Sequence, residues 1–135
     1  MISAIAAGNC IILKPSEHTP HISQVMADMI AELFDPEEIA VVQGGIENSK
    51  ALLEQPFNHI FFTGAPTIGK IVMAAAAKNL SSVTLELGGK SPTIVDETAN
   101  IKTAAKRIAR SKCLNNRQVC IAPVSYTHLT LPTKA

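Results

Sequence analysis

The stretch HIFFTGAPTIGKIVMAAAAKNLSSVTLELGGKSP, residues 59–92, decides the fold class. His59 to Thr63 is a β-branched and aromatic run that Gly64 stops, which predicts a strand. Ile68, Ile71, Val72, Ala75 and Ala76 then recur at helical spacing, which predicts a helix over 68–79 with those residues on one face. Val83 to Leu87 reads as a further strand, closed by Gly88-Gly89. Strand, helix and strand in so short a span form a βαβ unit, in which the helix carries the chain back and the strands run parallel.

The same grammar extends in both directions. Upstream, Cys10 to Leu13 is a short strand that Lys14-Pro15-Ser16 ends, because proline cannot continue a ladder. A helix follows from Pro20, with Thr19 at the N-cap and apolar residues at Ile22, Val25, Met26, Met29, Ile30 and Leu33. Asp35-Pro36 ends it, Ile39 to Val42 is a strand, Gly44-Gly45 turns, and a short helix over 48–54 stops before Pro56. Downstream, Pro92 to Val95 is a strand, and a helix runs from about Asn100 to Leu114 with Ile101, Ala104, Ala105 and Ile108 inward. The fold class is therefore α/β, a Rossmann-like parallel sheet with helices on both faces. Ligands of such sheets sit beyond the carboxyl ends of the strands, which singles out Lys14 to Glu17, Gly44-Gly45, Thr63 to Gly69 and Glu86 to Lys90. Residues 125–135 hold the only Tyr, no acidic residue and no helical period, and are left out of the fold.

Composition narrows the function. The 135 residues are 47% hydrophobic and 17% charged, enough for one domain or a part of a larger one. Twelve basic against eleven acidic residues leave a net charge of +1, which excludes nucleic acid and anionic membrane as the main partner. Three cysteines without paired short spacing give neither a disulfide framework nor a zinc site and suit a reducing compartment, with the cytoplasm expected. Met1 to Ala7 lacks the basic flank of a signal peptide, and no apolar run is long enough to span a membrane.

Three candidate sites follow, each with a plain alternative. Gly64 to Lys70 matches the P-loop spacing G-x-x-x-x-G-K, but Ile71 stands where magnesium needs Ser or Thr, and Pro66 removes a backbone donor. It is either a strand-to-helix turn or a helix N-terminus that meets a phosphate. Glu86 lies in an apolar strand, as an edge residue facing water or as a used carboxylate. Cys120 follows the cationic Arg117, and a thiolate is a nucleophile, although a lone cysteine is often a small buried hydrophobe. Cys10 and Cys113 fit that buried description better. His18, His21, His59 and His128 show no metal-ligand spacing, so no metal site is expected.

Ala6-Ala-Gly-Asn9, Leu13-Lys-Pro-Ser-Glu17, Phe62-Thr-Gly64 with Gly69, Leu85-Glu-Leu-Gly-Gly-Lys-Ser-Pro92 and Cys120-Ile-Ala-Pro123 occur in this order. Together they resemble the aldehyde dehydrogenase superfamily, most of all its class 3, fatty-aldehyde branch, from about Ile5 to Pro123. The resemblance implies most of a dinucleotide-binding domain over 1–88 and the start of a catalytic domain over 89–124. Residues 125–135 are expected to be a non-native tail that looks like adapter read-through. It also implies NAD or NADP as cofactor, with Lys14 and Glu17 on the adenosine ribose and Gly64 and Gly69 at the pyrophosphate turn. Leu87 and Gly88 complete the cofactor contacts. The carboxylate of Glu17 disfavours a 2′-phosphate without excluding it. Cys120 would attack the aldehyde carbon and Glu86 would activate the water that hydrolyses the resulting thioester. Relatives that pass the acyl group to coenzyme A usually lack this glutamate, which favours hydrolysis.

Two positions depart from the family: Arg117 replaces a common Gly, and Ala65 replaces a Ser or Thr whose hydrogen bond to phosphate is worth about 1 kcal/mol net. Family members have several hundred residues, so this chain alone is expected to be an inactive, aggregation-prone fragment of a homodimer or homotetramer whose substrate is a small-molecule aldehyde. A P-loop-like nucleotide-binding protein and a truncated non-catalytic binding chain are the alternatives.

Overall fold

The computed structural model describes residues 1–128 and divides the chain into two compact units, Met1–Pro56 and Phe57–Ala135. Each is built on parallel strands connected through helices.

In the first unit, a short helix α1 (Ile2–Ala6) precedes β1 (Ile11–Leu13), α2 (Pro20–Leu33), β2 (Ile39–Val41) and α3 (Ile46–Leu53). β1 and β2 pair in parallel from Ile11↔Ile39 to Leu13↔Val41, and α2 packs on β2. Pro20 is at the first position of α2 and Thr19 at its N-cap, but the Thr19 hydroxyl turns back to the Ser16 carbonyl at 3.4 Å and caps nothing. Ser23 does the tying: its buried hydroxyl lies 3.0 Å from the carbonyls of both Ser16 and Thr19, fastening the loop after β1 to the first turn of the helix. The apolar residues of α2 divide into two stripes. Ile30 is buried with Met26 half-buried, while Ile22, Val25, Met29 and Leu33 stay exposed. An arc this wide cannot all face one short pair of strands.

In the second unit, β3 (His59–Gly64), α4 (Pro66–Lys78) and β4 (Ser82–Leu87) form the expected βαβ unit. The ladder is parallel from His59↔Ser82 to Gly64↔Leu87, and α4 lies against both strands. Gly69, Val72, Ala75 and Ala76 are buried there, whereas Ile68 and Ile71, read as part of the same face, are exposed. Small residues win this contact because they let the helix axis approach. A Cβ on Gly69 would already sit 3.0 Å from Leu87 Cδ2. β5 (Thr93–Val95) and α5 (Ile101–Cys113) follow, the helix capped by the Asn100 side chain, which accepts from the Thr103 N–H at 3.0 Å. Ala104 and Ile108 of α5 are half-buried, but Ile101 and Ala105 are exposed rather than inward, since the helix has one narrow contact face. After a 3₁₀ turn at Leu114–Arg117, β6 (Tyr126–His128) pairs in parallel with β5. The start of the segment left out of the fold on composition thus contributes a strand, because ladder pairing needs only extended backbone. Residues 129–135 lie outside the described residues.

Two stability predictions follow from this packing. Gly69→Val should cost about 1–3 kcal/mol by overpacking against Leu87. Combining it with Leu87→Ala should give a favourable coupling above about 0.5 kcal/mol in urea unfolding; simple additivity would refute the contact. Arg117 holds φ +69, a left-handed conformation that glycine adopts freely. Arg117→Gly should therefore raise stability by about 1 kcal/mol, read in the same experiment; a loss would contradict the strain.

Candidate functional site

The first unit supplies a cleft at the carboxyl ends of β1 and β2. Pro15 ends β1, and in the loop that follows Lys14 Nζ donates to Glu17 Oε2 at 2.8 Å. Pro15, Ser16, Glu17, Pro20, Ser23 and Gln43 to Gly45 line a cavity of about 160 Å³. The Lys14 ammonium bonded to it, Glu17's own N–H and the nearby positive charge together hold the Glu17 carboxyl below its usual range. The opposite wall needs glycine. Gly44 has φ +124, and a Cβ there would overlap the Asn48 side-chain amide.

The second unit supplies the chemistry-bearing residues. β3 ends at Gly64, where a Cβ would overlap the Phe62 ring, and α4 begins one residue later. The Ala65 carbonyl accepts from the N–H groups of Ile68 and Gly69, each at 3.0 Å, and no side chain caps the helix. The ladder sets Thr63 opposite Glu86 and Gly64 opposite Leu87. Glu86 and the turn into α4 are therefore neighbours at one end of the sheet. Glu86 is exposed between half-buried Leu85 and Leu87, the alternation a strand imposes, so the carboxylate costs little to hold and is open to a reactant. Gly88 is exposed where the chain leaves the strand. Gly69, read as part of the pyrophosphate turn, lies buried in the contact between α4 and β4.

Cys120 is exposed and sits just past the 3₁₀ turn. Asn115, Asn116 and Arg117 all have left-handed backbone, with φ of 46, 53 and 69. The loop closes on itself as the Gln118 N–H donates to the Asn115 carbonyl at 3.0 Å and the Asn115 side chain donates back to the Gln118 carbonyl at 3.2 Å. Beyond Glu86 the same chain reaches this loop: the Ser91 hydroxyl donates to the Cys120 carbonyl at 3.3 Å, and the Ser125 N–H donates to the Lys90 carbonyl at 2.9 Å. The segment between β4 and β5 and the cysteine loop are thus stitched together a few residues after Glu86.

Cys10 and Cys113 are exposed as well, contrary to their reading as buried hydrophobes; Cys10 lies just before β1 and Cys113 at the last position of α5, where a short side chain finds no cover. Ser23 and Ser91 were missed as structural links. A polar residue amid the apolar run of α2 is the signal for the first, while nothing in the letters marks the second. Among the described residues no three His, Cys, Asp or Glu gather where a metal could be held, and no helix is long and apolar enough to cross a membrane.

The model of the aldehyde dehydrogenase family matches residues 1–126. The 4,4′-diaponeurosporen-aldehyde dehydrogenase of Staphylococcus aureus is 54% identical over 123 residues, 91% of this chain and 27% of that protein. The dimeric NADP-preferring aldehyde dehydrogenase of Rattus norvegicus is 49% identical over the same shares. Among solved structures, Staphylococcus aureus AldH in its substrate-bound state superposes with a TM-score of 0.90 at 52% identity, covering 94% of this chain and 28% of that one. A Mycobacterium tuberculosis aldehyde dehydrogenase complexed with NAD+ gives 0.82 at 37% identity, covering 91% and 26%. The chain therefore spans about a quarter of the length of these relatives. The P-loop alternative is not favoured: Pro66 takes the first position of α4 and Ile71 stands in the magnesium position. With its α/β units, its strand-end glycines and its cysteine loop, this chain belongs to the aldehyde dehydrogenase family.

Proposed function

We propose that this chain carries the nucleophile, the general base and much of the cofactor surface of an NAD(P)-dependent enzyme that oxidises a small-molecule aldehyde to a carboxylic acid. The observation that carries it is the β3–β4 register: Glu86 faces Thr63 at the turn into α4, and the segment that follows β4 is hydrogen-bonded at Ser91 to the Cys120 loop. Residues 1–88 serve the cofactor, residues 89–124 open the catalytic domain, and residues 125–135 lie outside the enzyme's own sequence, which resequencing the source through those codons tests.

The residues present fit a dinucleotide. The exposed Lys14–Glu17 pair offers a donor and an acceptor side by side, suited to adjacent ribose hydroxyls, and Gly44 keeps the facing wall low. Gly64, free of a side chain before the α4 N-terminus, leaves room for a pyrophosphate, with Leu87 paired to it on the ladder and Gly88 next in the chain. When bound, the nicotinamide supplies a hydride acceptor. Cys120 as thiolate adds to the aldehyde carbon, and its own backbone N–H is the donor for the oxygen that becomes negative. Once that adduct has been oxidised to a thioester, Glu86 takes a proton from water, the hydroxide adds to the acyl carbon, and the C–S bond breaks to return the thiolate and release the acid.

The complete protein works in the cytoplasm as a homodimer or homotetramer, without nucleic acid; the rat relative is named as dimeric. This chain alone turns over no aldehyde. Its exposed Val25, Met29, Leu33 and Phe61 leave the fold marginal and prone to associate.

A chimera tests the chemistry, with residues 1–123 replacing the matching segment of the Staphylococcus aureus relative. It should oxidise aldehydes, and Cys120→Ala should abolish turnover. Glu86→Gln should slow turnover by about 10²-fold or more and accumulate acyl-enzyme, visible as a mass increment; no accumulation would remove the general-base role. Glu17 makes a pH prediction. Its folded value lies below the unfolded one, so the pair supports the fold above the ordinary carboxylate range and ceases to as pH falls through the folded value. In Lys14→Met the Glu17 titration, followed by carboxyl NMR, should move up toward the ordinary range; an unchanged midpoint would disprove the pairing.

A further inference from the structure

We propose that Ser91 is a positioning residue for the nucleophile: its hydroxyl holds the Cys120 carbonyl and fastens the peptide that bears the thiol to the segment that follows the strand bearing Glu86. This rests on Cys120 being the nucleophile.

The Ser91 Oγ donates to the Cys120 carbonyl oxygen at 3.3 Å, across 29 residues of chain. Two backbone bonds run beside it, from the Val124 N–H to the Ser91 carbonyl at 3.4 Å and from the Ser125 N–H to the Lys90 carbonyl at 2.9 Å. Any residue at 91 keeps those two, so the hydroxyl itself serves Cys120 alone. The position is also expensive to occupy. Ser91 has φ +36, a left-handed conformation for a residue with a Cβ, and it precedes Pro92, which drives its predecessor toward extended backbone. Strain of this kind persists where the surroundings over-determine it, and functional sites are where it collects. Fixing the Cys120 carbonyl restricts the ψ angle of Cys120. With the Val119–Ala122 turn on its other side, closed by a 2.9 Å bond from the Ala122 N–H to the Val119 carbonyl, the Cα–Cβ direction of the thiol is set from both ends.

The test uses the full chain with Cys10→Ser and Cys113→Ser, so that Cys120 is the sole thiol, and measures its alkylation by iodoacetamide from pH 6 to 10 (roughly the span of thiol ionisation). Released from the carbonyl anchor, the loop should sample more open conformations. Ser91→Ala and Ser91→Gly should each raise the alkylation rate at least about threefold, while Ser91→Thr, which keeps the hydroxyl, restores the parent rate. The Ser125 amide should stay slow to exchange in all of them. Parent rates in both Ala and Gly variants, or a Thr variant that behaves like Ala, would overturn the proposal. Loss of slow exchange at Ser125 in both would overturn it too, since the side chain would then serve the fold. In the chimera, Ser91→Ala should lower kcat about tenfold with KM for aldehyde and dinucleotide unchanged, and an unchanged kcat counts against it. A Cys120→Ala chimera that still oxidises aldehyde would instead sink the nucleophile assignment, a failure that the alkylation rates keep separate.

Discussion

A helix of small side chains lying across two parallel strands is the constraint from which the second unit follows. α4 can sit on both β3 and β4 only because Gly69, Ala75 and Ala76 offer almost nothing between the helix backbone and the sheet, and Leu87 fills the space that remains. That close approach fixes where the α4 N-terminus opens, just beyond Gly64. The parallel register then sets Glu86 and Leu87 against Thr63 and Gly64. A bulkier α4 would lift off the ladder and move the helix start away from the carboxylate. The packing of Gly69 on Leu87 thus fixes the helix start at the end of the ladder where Gly64 and Leu87 pair.

The first unit solves a similar problem with hydrogen bonds. Its strands are short and its core is thin, so the loop after β1 cannot be held by burial alone. The buried Ser23 hydroxyl, reaching the Ser16 and Thr19 carbonyls, ties that loop to α2. Lys14 and Glu17 then project from an anchored segment and satisfy each other at 2.8 Å. An exposed pair of this kind contributes little to stability. Its use is that a paired donor and acceptor stay ready for a ligand with adjacent hydroxyls.

Elements were legible in the sequence wherever punctuation was strong: Pro15, Pro20, Pro36 and Gly64 bound strands and helices close to where they fall. Faces were less legible. The apolar arcs of α2 and α4 are wider than the strands beneath them, and periodicity alone cannot tell which stripe is covered, so Ile30 and Val72 are buried while Met29 and Ile71 are not. β6 was hidden because a parallel ladder asks only for extended backbone, which composition does not report. At the candidate site, the residue types of Lys14, Glu17, Glu86 and Cys120 were readable from resemblance, and the placement of the first three at strand ends from the βαβ order. The tie between Ser91 and Cys120 was not, because a hydrogen bond between distant segments leaves no local pattern.

Where the backbone is strained bears on function more than any single contact does. Among the described residues, the non-glycine ones with positive φ are Leu80, Ser91, Asn115, Asn116 and Arg117. Leu80 belongs to the turn from α4 into β4 and is explained by connection alone. The others flank Cys120, either in the loop before it or at its hydrogen-bonded neighbour. Asparagine tolerates this region; arginine and a serine before proline do not. The strained residues Asn115, Asn116 and Arg117 are themselves exposed, and the buried residue of this loop, Ala122, lies beyond the thiol, so packing does not account for strain of a few kcal/mol before Cys120. A loop held in so enforced a geometry is one shaped to aim a side chain.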